Sequence, residues 1–291
     1  MMVKDKEALL LKAQKNEMYG EGVYRHLSNY AKDKNTKSIL LQIAESEKSH
    51  YQTLAEFSGR DLKINGFFLK LLLMIVSLAV NLLGLTFVLK FLERMESRSA
   101  GAESFRDYPD IYGFIVEEEK HEKLLLDALN EDRLKYMGSV VLGLNDALVE
   151  LTGTLAGFTL SIQNSRTIAV IGLITGISAS FSMAASEYLS SKEEATDLNP
   201  KKASLYTGIA YVLTVLLLVL PFFHVSNYML ALGLTLLIAL LIIAFFNYYI
   251  SVAKDEPFKS RFMEMALISI GVAVVSFGIG YLVKTYIGIE I

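Results

Sequence analysis

The chain has 291 residues, 53% of them hydrophobic, no cysteine, and a formal net charge of -3 from 28 basic and 31 acidic residues. Without cysteine, disulfides, thiolate zinc sites, iron–sulfur clusters and cysteine nucleophiles are excluded together. The near balance of charge leaves no global field that would attract nucleic acid, so we expect no nucleic-acid partner. The mean hydropathy is +0.39 and the apolar residues are concentrated in the second half, which predicts a membrane protein with a soluble part.

The first part of the chain, residues 1–133, contains two pairs of predicted amphipathic helices. In chain order they cover residues 4–32, 36–58, 86–105 and 112–131. The polar turn Asp33-Lys34-Asn35 separates the first pair, and Tyr108-Pro109-Asp110 separates the second. Four helices in two pairs predict a soluble helical bundle.

An almost wholly apolar stretch, residues 67–91, connects the two pairs. About 20 apolar residues can cross a bilayer, so length alone predicts a transmembrane span. However, the predicted metal ligands lie in helix pairs on either side of this stretch, and a single crossing would separate them by the whole membrane. We therefore favour an interfacial or bundle-packed segment over a true span.

Five further apolar segments fill residues 134–291, and each is long enough to span. They cover residues 137–162, 168–189, 205–223, 228–250 and 262–283. Lysine and arginine near span ends favour the cytoplasm, and Lys135, Lys192, Lys201 and Lys254 all lie on one side of this arrangement. The loop charges thus predict a cytosolic N-terminal bundle and a C-terminus on the outside.

Two Glu-x-x-His motifs occur in the predicted bundle, Glu47 with His50 and Glu118 with His121. Each places a carboxylate and an imidazole one turn apart on the same helix face. One such motif is usually a surface pair, but this chain has four histidines and two of them take equivalent positions. Carboxylate-bridged dinuclear bundles use two such motifs and one glutamate from each of the other two helices.

The other two helices each offer a glutamate. Glu17 lies on the first helix and Glu96 on the third, and Glu93, one turn earlier, is an open alternative to Glu96. The predicted dinuclear site therefore has six ligands: Glu17, Glu47, His50, Glu96, Glu118 and His121. Mixed oxygen and nitrogen ligands suit iron, as Fe2+ or Fe3+, or Mn2+ better than a thiophilic metal.

The predicted membrane half also carries acidic residues, Asp146 and Glu150 in the first span and Glu187 in the second. A carboxylate inside a membrane helix costs several kcal/mol unless it is paired, protonated or bound to a cation. Asp146 and Met183 each lie about 13 Å from the inner ends of their spans, so the antiparallel pair can meet at one depth. Alone, Met183 is better read as core packing, but the depth match favours a shared metal-transfer site. Glu150, one turn beyond Asp146, is placed to pass on the ion or a counter-moving proton.

A carboxylate with a thioether discriminates against Mg2+, which prefers oxygen ligands and keeps its waters. Fe2+ and Mn2+ remain as transported ions. In the second span Gly172 and Gly176 allow close helix approach, either to a dimer partner or within the chain.

At these residues the segment 134–283 resembles the vacuolar iron transporter family. The resemblance rests on Asp146-Ala147-Leu148 in the first span and on Ser182-Met183 and Glu187-Tyr188 in the second. It implies a five-span unit that dimerises and moves ferrous iron out of the cytosol. Plant members of that family carry a metal-binding segment between spans two and three, and here residues 190–202 are too short to hold one.

The N-terminal part resembles the rubrerythrin branch of ferritin-like domains, with the six predicted ligands in the ligand positions. The whole arrangement is similar to membrane-bound ferritin of prokaryotes, which implies an integral protein of the cell membrane, a homodimer and a role in iron export. The expected fold is all-α, a ferritin-like four-helix bundle followed by a five-helix transmembrane domain.

Three functions follow from these features. The first is export of Fe2+ or Mn2+ from the cytosol, with protons as the counter-ion and the bundle capturing, sensing or oxidising iron. The second is a membrane-anchored di-iron oxidase or peroxide scavenger that transports nothing. The third is an iron sensor in which the bundle gates the membrane half.

Overall fold

The computed structural model describes residues 2–99, 135–193 and 198–287. This part of the chain is helical, with no β-strand, which confirms the all-α prediction for the residues described. The chain divides into two compact units, Met1–Glu131 and Asp132–Ile291. The predicted helix over 112–131 lies outside the described residues, as do the predicted ligands Glu118 and His121 and the side chain of Glu96.

The first unit contains four described helices. They are α1 (Met2–Leu27), α2 (Lys34–Ser58), α3 (Gly66–Leu83) and α4 (Leu85–Ser99). Buried apolar side chains, Met18, Val23 and Leu27 on α1 and Leu40, Ile43 and Leu54 on α2, lie along the contact between the first two helices. Val23 and Leu27 are four residues apart and Leu40 and Ile43 are three apart, which is the spacing that places side chains on one helix face.

Local hydrogen bonds set the ends of these two helices. The Asp33 carboxylate caps α2 by accepting from the Thr36 amide at 2.7 Å, and this hydrogen bond lowers the pKa of Asp33 below its ordinary value. Helix α1 was predicted to reach residue 32, but it ends at Leu27. The Tyr30 amide donates to the Leu27 carbonyl three residues earlier, so a tight turn replaces the last predicted helical turn.

The apolar stretch 67–91 is not one continuous helix. Gly84 has a φ of 95°, a conformation that L side chains rarely adopt, and it separates α3 from α4. Leu85, Val88 and Leu89 at the start of α4 are buried. The apolar run therefore belongs to two helices with different surroundings.

The described part of the second unit contains five helices, one for each predicted apolar segment. They are α5 (Met137–Ile162), α6 (Ser165–Glu193), α7 (Pro200–His224), α8 (Tyr228–Lys254) and α9 (Phe258–Ile287). Helices α6 to α9 extend beyond their predicted bounds, because the predictions followed apolar residues and polar turns continue each helix. Asn199 and Asn227 cap α7 and α8 by accepting from amides in their first turns.

Helix α5 occupies the centre of this unit, since it contacts α6, α7, α8 and α9. Small residues make these contacts close. A side chain at Gly143 would collide with the backbone carbonyl of Thr207 on α7, and one at Gly280 on α9 would collide with the carbonyl of Gly157. Gly172 and Gly176 on α6 face Leu155 and Val215, so their close approach is made within the chain.

Six helices in the described part, α3 and α5 to α9, are long and apolar enough to cross a membrane. Five of them correspond to the predicted spans. The sixth, α3, meets the same requirement of length and composition, which cannot by itself distinguish a span from a helix lying on the membrane surface.

The α5–α7 contact can be tested with a methyl group. We expect Gly143→Ala to lower the free energy of unfolding of the detergent-solubilised protein by about 1–3 kcal/mol, because the added carbon overlaps the Thr207 carbonyl. The melting temperature should fall accordingly. Gly271→Ala on α9 is the matched control, since its added carbon meets nothing within 4 Å. Equal melting temperatures for the two variants would show that α5 and α7 are not this close.

Candidate metal centres

Three of the predicted ligands in the first unit lie between α1 and α2, and two of them, Glu17 and His50, approach each other. The His50 Nδ1 atom lies 3.5 Å from Glu17 Oε2, and the two side chains are 2% and 13% exposed. Glu47 is also buried and lies against Gly20, one turn from Glu17 on α1. A Cβ at Gly20 would stand 2.5 Å from Glu47 Oε2, so the glycine provides the space for this carboxylate.

One atom of this group lacks a hydrogen-bond partner. Glu17 Oε2 is buried and accepts no hydrogen bond from any residue in the described ranges. A buried carboxylate oxygen in this state carries a desolvation cost that a bound cation would offset. Carboxylates and an imidazole are ligand types that iron and manganese accept, so the chemistry of these residues fits one side of the predicted dinuclear site.

The predicted ligand set is incomplete where the structure describes it. Within residues 2–99, 135–193 and 198–287, no three histidine, aspartate or glutamate side chains are close enough together to hold a metal ion. Glu93, the alternative to Glu96, is half-buried on α4. Since the remaining ligands lie outside the described residues, the dinuclear site stays a prediction.

In the second unit, the carboxylates of Asp146 and Glu150 lie one turn apart on one face of α5. Asp146 is half-buried. Glu150 Oε2 accepts a hydrogen bond of 2.7 Å from the hydroxyl of Tyr211 on α7, and Tyr211 is fully buried. Glu150 itself is exposed, and the buried phenol holds one of its oxygens against the helical unit.

Tyr211 is a residue that the sequence interpretation missed. It lies 61 residues from Glu150 along the chain, so no local spacing connects the two. The available signal was a tyrosine in the middle of the apolar segment 205–223, since a buried tyrosine hydroxyl usually finds a hydrogen-bond partner.

Glu187 joins α6 to the beginning of α5. Its Oε1 atom accepts from Ser139 Oγ at 2.6 Å and from Ser191 Oγ at 3.4 Å. Because Glu187 lies level with Ser139, it precedes Asp146 by about 10 Å along α5, and Glu150 lies about 6 Å further on. Along the axis of α5 the three carboxylates therefore lie in the order Glu187, Asp146 and Glu150, separated by about 10 Å and then by about 6 Å.

Met183 lies one turn from Glu187 on α6, about 6 Å nearer the level of Asp146. It is half-buried and packs against the apolar core of the unit, which includes Leu148 and Val215. This packing is what a core methionine makes. The shared Asp146–Met183 metal site therefore stays a prediction, although the two side chains occupy neighbouring depths.

Comparison with known proteins gives a family match over the segment that carries these carboxylates. No curated protein matches the chain. Residues 137–199, which cover α5, α6 and the capping residue of α7, match the sequence profile described as the VIT family. The chain is thus an integral membrane protein whose segment 137–199, with Asp146, Glu150, Met183 and Glu187, is similar to the VIT family.

Proposed function

We propose that the protein transports a divalent transition-metal ion across the membrane, with Fe2+ as the best candidate and Mn2+ as the alternative. The observation that carries this proposal is the series Glu187, Asp146 and Glu150 inside the segment that matches the VIT family. A carboxylate inside the membrane costs several kcal/mol, and binding of a transported cation would offset that cost at each member of the series.

The order of the side chains gives a path for the ion. Glu187 lies at the end of the membrane unit where the loop lysines Lys192 and Lys201 predict the cytosol, so it forms the entrance. Asp146 with Met183 forms the middle, and Glu150, held by Tyr211, forms the next position outward. Metal and protons compete for carboxylates, so the same groups support export coupled to protons moving inward.

The first unit supplies a second metal-binding region. Glu17, Glu47 and His50 lie between α1 and α2, and in this proposal they hold one side of a dinuclear iron site that captures, senses or oxidises iron in the cytosol. Bound iron would supply redox chemistry there. The protein's own residues would set its position, with Gly20 leaving space for Glu47. The protein acts as a homodimer in this proposal, as the family resemblance implies.

A membrane-anchored di-iron oxidase or peroxide scavenger is the second candidate. The buried Glu17 oxygen, which accepts no hydrogen bond from the described residues, favours it, because that atom can take a cation whether or not anything is transported. A helical region that serves only as a membrane anchor, however, does not require the membrane carboxylates Asp146 and Glu150. The two candidates therefore differ in what the membrane carboxylates do.

The central test is metal flux in proteoliposomes. We expect Asp146→Ala to reduce Fe2+ or Mn2+ flux at least about tenfold, because the middle carboxylate of the path is lost. Glu256→Gln is the control, since Glu256 pairs with Arg261 in the connection between α8 and α9. Flux equal to that of the unmodified protein would reject transport through this site and leave the oxidase as the better assignment.

Tyr211→Phe tests the position of Glu150. A hydrogen bond to a charged group contributes about 1.5–3 kcal/mol, so we expect flux to fall about tenfold when the hydroxyl is removed. Tyr206→Phe on the same helix is the matched control, because Tyr206 stacks on Tyr136 at 5.3 Å and phenylalanine keeps the ring. In a Glu150→Gln background, Tyr211→Phe should have a much smaller effect. An unchanged effect would show that Tyr211 acts elsewhere.

Metal binding by the first unit can be measured apart from flux. We expect His50→Ala to weaken Mn2+ binding to the full-length protein at least about tenfold at one class of sites, detected by electron paramagnetic resonance of the free ion, because an imidazole ligand is removed. Glu56→Gln, an exposed change on α2, should leave binding unchanged. Identical binding curves for all three proteins would remove the first unit from the metal-binding proposal.

A further inference from the structure

Helix α3 presents one continuous apolar face to its surroundings. Besides Phe68, six of its large apolar side chains are between 40% and 81% exposed: Phe67, Leu71, Met74, Ile75, Leu78 and Leu82. Their spacing places them within an arc of about 100° on the helix, which is the width of the apolar face of an amphipathic helix. A contiguous exposed patch of this kind marks an interaction surface.

The opposite face of α3 packs against α1. The rings of Tyr19 and Phe68 meet edge to face with centroids 5.5 Å apart, and His26 Nε2 lies 2.8 Å from Ser77 Oγ. Between them, the Leu69 side chain lies against Gly22. The contacts advance in the same direction along both helices, so α1 runs beside α3 from Phe68 to Ser77.

Helix α1 carries charges through this region. Arg25 forms ion pairs with Glu21 at 3.1 Å and with Glu45 of α2 at 3.5 Å. Moving such groups into hydrocarbon costs several kcal/mol each. Helix α3 therefore cannot cross the bilayer while α1 lies beside it, although its length and composition would permit a crossing.

The length of α3 permits either placement, and the basic residues beside it favour the membrane surface. Its 18 residues extend about 27 Å, slightly less than the hydrocarbon thickness of about 30 Å. Lys63 precedes the helix, and Lys70 lies at the edge of the apolar face within its first two turns. A basic side chain at the edge of an apolar face reaches the headgroups of anionic lipids while its methylene carbons stay with the acyl chains.

We propose that α3 lies in the plane of the membrane surface, with its six-residue apolar face inserted among the acyl chains of anionic lipids, and so docks the first unit on the bilayer. A lipid surface is the occupant that fits, because the same chain is embedded in the bilayer through the helices of its second unit. This tether keeps α3 at a high effective concentration near the lipid. The proposal does not depend on which ion is transported.

The chain contains no tryptophan, so one introduced tryptophan reports alone on its surroundings. Phe67→Trp, Ile75→Trp and Leu82→Trp sample the beginning, middle and end of the apolar face. Each full-length variant is reconstituted in liposomes that contain anionic lipid and lipids brominated at defined depths. We expect all three tryptophans to be quenched at the same shallow depth, about 5–10 Å into the headgroup and acyl-chain boundary. Gln42→Trp, exposed on α2, is the unquenched control.

Other outcomes would overturn the proposal. Quenching that is deepest for the middle position and shallow at both ends would show that α3 spans the bilayer. No quenching at any of the three positions would show that water or a second copy of the chain covers this face. Ile75→Cys would then identify the second copy, because the chain has no native cysteine and a disulfide between copies would form only there.

The lipid class has its own test. We expect Lys63→Gln with Lys70→Gln to reduce tryptophan quenching at position 75 several-fold in vesicles that contain anionic lipid, and to leave it unchanged in vesicles of zwitterionic lipid alone. Equal quenching by both proteins in both vesicle types would overturn the assignment of anionic headgroups, while the depth measurement still reports on insertion.

Discussion

A carboxylate inside a membrane helix is tolerated only where something replaces the water that it has lost, and this requirement shapes α5 and its neighbours. Glu150 receives a hydrogen bond from the buried Tyr211 hydroxyl, and Glu187 receives one from Ser139. In both cases the donor comes from another helix. Helices α5, α6 and α7 are thus held together by the same groups that would meet a passing ion, which is why we expect changes at the donors to affect transport.

These hydrogen bonds require the helices to be close, and the small residues on α5 provide that closeness. Gly143 allows the Thr207 backbone of α7 to approach, and the Thr207 hydroxyl donates to the Ser139 carbonyl at 2.9 Å. On another side, Gly157 and Gly280 bring α9 against α5. The glycines therefore have a role that apolar side chains could not take, because any Cβ would push the polar partners apart.

The helices and part of the candidate sites could be predicted from the sequence because their signals are local. Apolar runs located the five helices of the second unit, and the Glu-x-x-His spacing selected Glu47 and His50, of which His50 approaches Glu17 in the structure. The Tyr211 contact could not be predicted in the same way, since it joins side chains far apart in sequence. The early end of α1 was missed because it depends on a turn hydrogen bond that amphipathic spacing does not reveal.

Helix α3 shows the corresponding requirement for apolar side chains. A carboxylate in the membrane needs a replacement for water, whereas the exposed apolar face of α3 needs to leave water. Its composition matches that of a span, and an isolated helix of this sequence would satisfy the requirement for crossing a bilayer. The charges on α1 impose the limit, because ion pairs such as Glu21–Arg25 must stay near water while the exposed apolar face of α3 must leave it. Both conditions are met together only at a boundary between water and lipid. The surroundings of a hydrophobic segment, more than its hydropathy, therefore decide whether it crosses a membrane or lies along it.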